Sequence, residues 1–282
     1  MKATAKKAME PVGSFYKLPF PEYLSLPYMS VHGLKLFSED PIAYLLSFQN
    51  IDDKSTPALD QGKAFHCRIL TPELYYSEIA EAPDAPKRSD AQKEYWAKFE
   101  AVNNGKVILS HAIIQEIEFM AASVAANPRA MKLLSGGESE MTGVWEDCRG
   151  FTCKIRPDHI KVNEFEGIVD IVDLKTFMGD LGGRAVGKDI TNRAYHWQDY
   201  FYRKGAKAIY DLDQVRFNFI FVSKQWPYRT RVFTLHNDKV MQETGERIEA
   251  ILDDYSRFMS SPIEDLFSRD DSEILYLPPW AA

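Results

Sequence analysis

The sequence predicts a mixed α/β layer fold. Three observations predict it. Apolar residues recur at helical spacing through much of the stretch from residue 30 to residue 126. After the run "SGGESE" (135–140) the period shortens to strand-like alternation. A helix-length segment then separates two groups of strands before a closing helix.

Residues 1–29 are rich in proline and aromatics and read as an irregular arm. Ser30 is placed to cap a short helix over 31–37, and Pro41 is a suitable first residue for another in "DPIAYLLSFQ". In "ALDQGKAFHCRIL" (58–70), Leu59, Gly62, His66 and Ile69 fall on one helical face. The stretch 81–90, with two prolines, is a polar loop. Helices are expected over 90–102 and 111–126, the second with Ile113, Ile114, Ile117, Met120 and Val124 as its stripe. Strands follow over 140–146, 151–157 and 166–174, with turn signals at "DCRG" and "NEFEG". A glycine-containing loop leads to a helix over 189–208. Two strands, "QVRFNFIFV" and "YRTRVFTL", flank "SKQWP". A final helix starts near residue 237 and carries Met241, Ile248, Leu252, Tyr255 and Met259 inward. One domain over 30–282 accounts for this order, helical over about 30–136 and sheet-based over about 137–282.

Composition narrows the function. The chain has 282 residues, 45% of them hydrophobic, enough for a sizeable core. Three cysteines with no C-x-x-C spacing argue against a disulfide framework and against a four-cysteine metal site. No apolar run of about 18 residues occurs, so no membrane span is expected and the protein is read as cytoplasmic. A net charge of −7 gives no global support for nucleic-acid binding, which would need a local basic face.

The chemistry is concentrated in "KIRPDHI" (154–160) and "IVDIVDLKT" (168–176). Asp158 follows a proline at a strand end, where a turn-forming aspartate is common. In the second segment Val169, Ile171, Asp173 and Lys175 share one strand face, which begins apolar and ends in an acid and a base. Asp170, on the other face, is readily a solvated or hydrogen-bonded group. An internal ion pair is one explanation for Asp173 and Lys175, but burying such a pair costs as much in desolvation as it returns. A metal site explains them better: two aspartates supply oxygen ligands for a hard cation such as Mg²⁺, and a neighbouring lysine neutralises developing charge.

Pro157-Asp158 followed by Asp173-Leu174-Lys175 resembles the PD-(D/E)xK nuclease pattern, and the flanking segments sharpen the likeness. "GKAFHCRILTPELY" (62–75), "GGESEMTGVWEDCRGFTCKIRPD" (136–158), "YHWQDYFYRKG" (195–205) and "VSKQWPY" (222–228) resemble, in order, the blocks of exonuclease VIII-like phage and prophage enzymes. The resemblance implies a restriction-endonuclease-like core, a central mixed β-sheet flanked by helices. It implies Asp158 and Asp173 as principal metal ligands, with His66, Glu140 and the Leu174 carbonyl as further ones and Glu138 as the rival of Glu140. It implies Lys175 as the catalytic lysine, with Gln198 and Tyr202 supporting the site. Without it, His66 reads as an ordinary structural histidine and the Gln198–Tyr202 face as an amphipathic helix. Ser223 departs from the acidic residue more often expected in the closing hairpin.

Arg156, Arg184, Lys188 and Arg193 are expected DNA contacts, and Arg203, Lys204 and Lys207 extend the basic set along the crossover helix. The resemblance further implies one or two Mg²⁺ ions, with Mn²⁺ substituting. The implied reaction is 5′→3′ exonuclease digestion of double-stranded DNA from its ends for recombination, in a bacterial host or phage-infected cell. It implies a single-strand annealing protein as partner and a homo-oligomeric ring, trimer or tetramer. The alternatives are an endonuclease or helicase-associated nuclease of the same fold, or a non-catalytic protein that binds DNA ends.

Overall fold

The structure, a computed structural model, describes residues 12–48, 55–212, 214–236 and 238–262. It opens with β1 (Ser14–Lys17), α1 (Phe20–Ser25), α2 (Val31–Glu39) and α3 (Pro41–Ser47). The arm is therefore less irregular than expected over its described part. Ser14 to Lys17 pair antiparallel with a distant segment, Ser14 opposite Val144. Phe15 stacks on Tyr210 with centroids 5.2 Å apart, a partner that local sequence does not reveal. Residues 1–11 lie outside the described residues. Ser30 caps α2 as expected, accepting from the Gly33 amide at 3.1 Å, and Asp40 caps α3 through the Ile42 and Ala43 amides.

The helical part continues with α4 (Pro57–Leu70), α5 (Tyr75–Glu78), β2 (Ile79–Glu81), α6 (Asp90–Val102), β3 (Val107–Leu109), α7 (His111–Ala125) and α8 (Pro128–Leu134). The β2–β3 pair is a small parallel ribbon that periodicity does not disclose. Leu59, on the α4 face shared with Gly62, His66 and Ile69, is 54% exposed.

The sheet part comprises β4 (Glu138–Ser139), β5 (Met141–Glu146), β6 (Thr152–Ile155), β7 (His159–Asn163), β8 (Ile168–Phe177), α9 (Gly183–Asn192), α10 (Tyr195–Tyr210), β9 (Gln214–Ser223), β10 (Thr230–Phe233) and α11 (Lys239–Ser260). Four expectations change here. The strand expected over 140–146 is broken at Glu140, whose φ of 57° is left-handed and ends one pairing before another begins. β7 was not expected; it pairs antiparallel with β8, His159 opposite Val172. The helix expected over 189–208 is two helices, turned at Ala194 with a φ of 52°. The inner face of α11 runs through Thr244, Ile248, Leu252, Tyr255 and Phe258, whereas Met259 is 51% exposed.

The main sheet has the order β10-β9-β8-β7-β4 and is mixed, since β8 and β9 are parallel while the other neighbours are antiparallel. The α9–α10 segment is the crossover that a parallel β8–β9 pair requires. A second sheet, β1-β5-β6, lies beside it. One face of β8 and β9 buries Val169, Ile171, Phe217, Phe219 and Phe221 against α10, α11 and α2; the other buries Val172, Leu174, Ile220 and Val222 against α4 and α7. Each fully buried phenylalanine contributes about 1.5–3 kcal/mol on a transfer scale. Because β8 is covered on both faces, polar groups near its C-terminal end need specific partners. Gly205 on α10 permits one of the close approaches, since a Cβ there would meet the Trp145 ring at 2.6 Å.

Candidate active site

β8 brings Asp173 and Lys175 to the same face two residues apart, with Lys175 Nζ 2.6 Å from Asp173 Oδ2. Asp173 is almost wholly buried. Its Oδ1 accepts from Gln198 Nε2 at 2.5 Å, whereas Oδ2, despite its nearness to the ammonium, accepts no well-oriented hydrogen bond. Lys175 Nζ also lies 4.5 Å from the centroid of the Tyr195 ring. Burial opposes the charge on Lys175, but Asp173 and Asp158 together outweigh it and hold its pKa above the ordinary lysine value.

Asp158 sits in the connection between β6 and β7 rather than within a strand. Its Oδ2 accepts from the Leu174 amide at 2.6 Å, and its carbonyl accepts from the Glu140 amide at 3.0 Å. Burial pushes the Asp158 carboxyl well above the usual carboxylate range, with Asp173 and Glu140 pushing the same way. The left-handed backbone of Glu140 thus lies beside Asp158. It also separates Glu140 from its rival Glu138, which pairs within β4 opposite Ile160. Glu138 is exposed; Glu140 is half-buried.

His66, on α4, is half-buried with Nδ1 3.5 Å from Asp158 Oδ2. Burial pulls its pKa below the ordinary histidine value, Lys175 adds to that, and the Asp173 and Glu140 carboxylates oppose it. His66, Glu140 and Asp158 each offer a ligand atom within 4.8 Å of the others. Asp173, expected as a principal ligand, is not among this trio; its carboxylate contacts Lys175 and Gln198. One imidazole nitrogen and two carboxylates within reach of one another suit a divalent cation. Gly62, one turn before His66 on α4, has open space where a Cβ would stand, with nothing within 4 Å.

Tyr202, one turn after Gln198, is buried and donates to the Arg156 carbonyl at 3.2 Å, two residues before Asp158. α10 therefore touches the backbone ahead of one motif aspartate and the carboxylate of the other. Tyr195 went unread in the sequence, although its helical register with Gln198 and Tyr202 is the signal that could have found it. Lys35, also unread, donates to the Arg193 carbonyl at 2.8 Å. Burial lowers its pKa and Lys175 lowers it further, so the two cations are neighbours.

The expected basic residues divide. Arg184 and Lys188 are exposed one turn apart on α9, opposite the buried Val186 and Ile190. Arg193 is exposed and paired with Asp189 at 2.8 Å. Arg156 is engaged inside the protein, donating to Glu140 Oε2 at 2.9 Å, the Leu18 carbonyl at 2.7 Å and Thr142 Oγ1 at 3.1 Å. Arg203 pairs with the buried Asp199 and bonds the Val215 carbonyl. Lys204 lies 3.0 Å from Asp147 and 2.8 Å from Glu249. These last two serve internal networks rather than the basic surface expected of them. Lys207 remains exposed.

The family described as "PDDEXK-like domain of unknown function (DUF3799)" matches residues 30–264, and the chain belongs to that family. A solved structure from Eubacterium rectale, described as a "Putative exonuclease", is similar over 93% of this chain and 97% of that chain, with 16% identity and a TM-score of 0.56. At that identity the likeness is one of fold. Six solved chains match, and no curated protein does. The mixed sheet and the PD-(D/E)xK resemblance read from sequence are both borne out. Among the described residues, no helix is long and apolar enough to cross a membrane.

Proposed function

We propose that this PDDEXK-like protein is a Mg²⁺-dependent nuclease that digests double-stranded DNA from its ends in the 5′→3′ direction, as the exonuclease VIII-like sequence blocks imply. The observation that carries the reading is the convergence of His66, Glu140 and Asp158 beside the Asp173–Lys175 pair. A purely structural ion pair has no need of a second acidic group, a histidine and a left-handed glutamate around it.

Phosphodiester hydrolysis requires a water oxygen to bond to phosphorus while the P–O bond to the departing strand breaks, the proton lost by water ending on the departing oxygen or in solvent. Positioning alone supplies at most about 11 kcal/mol of the roughly 20 kcal/mol such reactions need. Asp158, Glu140 and His66, with Asp173 near Lys175, would hold a divalent cation, which would polarise the phosphate and acidify water when bound. Lys175 presents a cation to the charge that builds on the phosphate. Gln198 holds Asp173 in orientation, and Tyr202 fixes the backbone leading to Asp158. Arg184 and Lys188 offer exposed charge to the duplex, which the net charge of −7 obscures.

The same reading extends to recombination as the setting, a cytoplasmic location in a bacterial or phage-infected cell, a single-strand annealing partner, and a closed ring of identical subunits. The decisive experiment is digestion of duplexes labelled at either the 5′ or the 3′ end, beside a covalently closed circle, with Mg²⁺ and with chelator. Mg²⁺-dependent release of the 5′ label first, with the circle spared, is expected. Cutting of the circle would replace this reading with an endonuclease, and no cutting of any substrate would leave a DNA-end-binding protein.

A further inference from the structure

Gly62 lies in the interior of α4, one turn before His66 and on the same face. Glycine is the poorest helix former after proline, so an interior position demands a reason. Two ordinary reasons fail. Gly62 is not among the glycines with positive φ, and no neighbouring group lies within 4 Å of where its Cβ would stand. It is half-buried nonetheless, and the space above it is open, one turn from the candidate metal ligand His66.

Two neighbouring residues of α4, Leu59 and Gln61, suit a nucleic-acid strand. Leu59, one turn earlier on the same face, is 54% exposed and offers apolar surface to a sugar or base. Gln61 is buried and holds Lys224 of the hairpin, accepting from its Nζ at 3.0 Å, while its own Nε2 donates to Glu116 Oε2 at 2.8 Å. A cation is thus anchored at the same turn of α4, with hydrogens left to donate to a phosphate.

We infer that Gly62 is a clearance position: its missing side chain lets the DNA strand entering the active site lie against the α4 backbone beside His66, with Lys224 facing a phosphate of that strand. This inference rests on the nuclease reading. Gly62 sets how near the strand comes to the His66–Asp158 pair, and any side chain there holds the strand away.

The test uses the full chain with Gly62→Ala and Gly62→Leu. Three quantities are measured: thermal midpoint, Mn²⁺ binding by calorimetry, and affinity and cleavage with a fluorescent duplex. Gly62→Ala is expected to keep or raise the midpoint, by about 2 °C for a chain of this size, since it improves the helix. Mn²⁺ binding should be unchanged in both variants. Duplex affinity without metal and cleavage with metal should fall in both and fall further in Gly62→Leu, cleavage by on the order of 100-fold for a strand displaced by about 1 Å. Variants that bind and cut like wild type overturn the inference, and so does a loss that travels with weakened Mn²⁺ binding. If wild type neither binds nor cuts duplex, the nuclease reading fails and this inference falls with it. If wild type cuts and the Gly62 variants are indifferent, only the inference fails.

Discussion

The backbone amide of Leu174 donates to Asp158 Oδ2 at 2.6 Å, so the residue following one motif aspartate clamps the carboxylate of the other. Sixteen residues separate the donor and acceptor positions. The clamp fixes Asp158 relative to β8 through a backbone donor on β8, and the same Oδ2 lies 3.5 Å from His66 Nδ1.

Asp173→Asn should abolish Mg²⁺-dependent cleavage and weaken Mn²⁺ binding. It should also lower the thermal midpoint, because Lys175 loses its nearest counter-charge; breaking a buried pair costs about 3–5 kcal/mol, and Asp158 keeps the loss toward the lower end. Lys175→Ala should be equally inactive while retaining most of the Mn²⁺ binding seen by calorimetry. Cleavage by either variant within tenfold of wild type would remove that residue from the site.

His66 is half-buried on a helix surface rather than locked in a core. His66→Ala should therefore reduce turnover by at least about tenfold, the lower end of what disturbed metal shells lose, with little change in midpoint. A drop of several degrees with full activity would make it a packing residue instead.

Lys154 is buried with Nζ donating to the carbonyls of Tyr23, Leu24 and Leu26 at 2.8, 3.3 and 2.7 Å. Burial lowers its pKa to about 8 from the usual 10.5. Below pH 8 the folded and unfolded chains are both protonated there, and the fold carries the cost of the buried charge. As pH rises from 8 to 10.5 the folded state releases the proton first, so this group makes the protein more stable over that window. Urea unfolding at several pH values should show wild type gaining stability relative to Lys154→Met across it. Parallel curves would mean that the three carbonyls hold the charge without penalty.

Assembly tests the ring. With a net charge of −7 and screening beyond about 8 Å, long-range attraction cannot keep the protein on DNA between cuts, whereas enclosure can. Light scattering after size exclusion should give a closed trimer or tetramer, and digestion should continue when a DNA trap is added after loading. Trp226, 84% exposed in the β9–β10 hairpin, is the described residue most suited to an interface there. A monomer that still degrades long DNA past the trap would refute the ring.

The β8 segment was legible because alternation is local. Val169, Ile171, Asp173 and Lys175 share a face in any strand, and the acid–base ending stands out against an apolar run. Asp158 was legible only as a motif position, since the short β7 that follows it gives five residues of weak pattern. What the sequence could not supply was partnership across distance. Arg203 and Lys204 looked like phosphate contacts until Asp199, Asp147 and Glu249 appeared beside them, Lys204 and Glu249 lying 45 residues apart. Arg156 turned inward to Glu140 for the same reason, and Glu140 itself escaped the strand because Asp158 supplied a hydrogen-bond acceptor for its amide. Periodicity reports which face a residue occupies, because backbone geometry repeats within a few residues. Which charge it meets on that face depends on how α10, β8 and the N-terminal helices pack, and only the folded chain decides that.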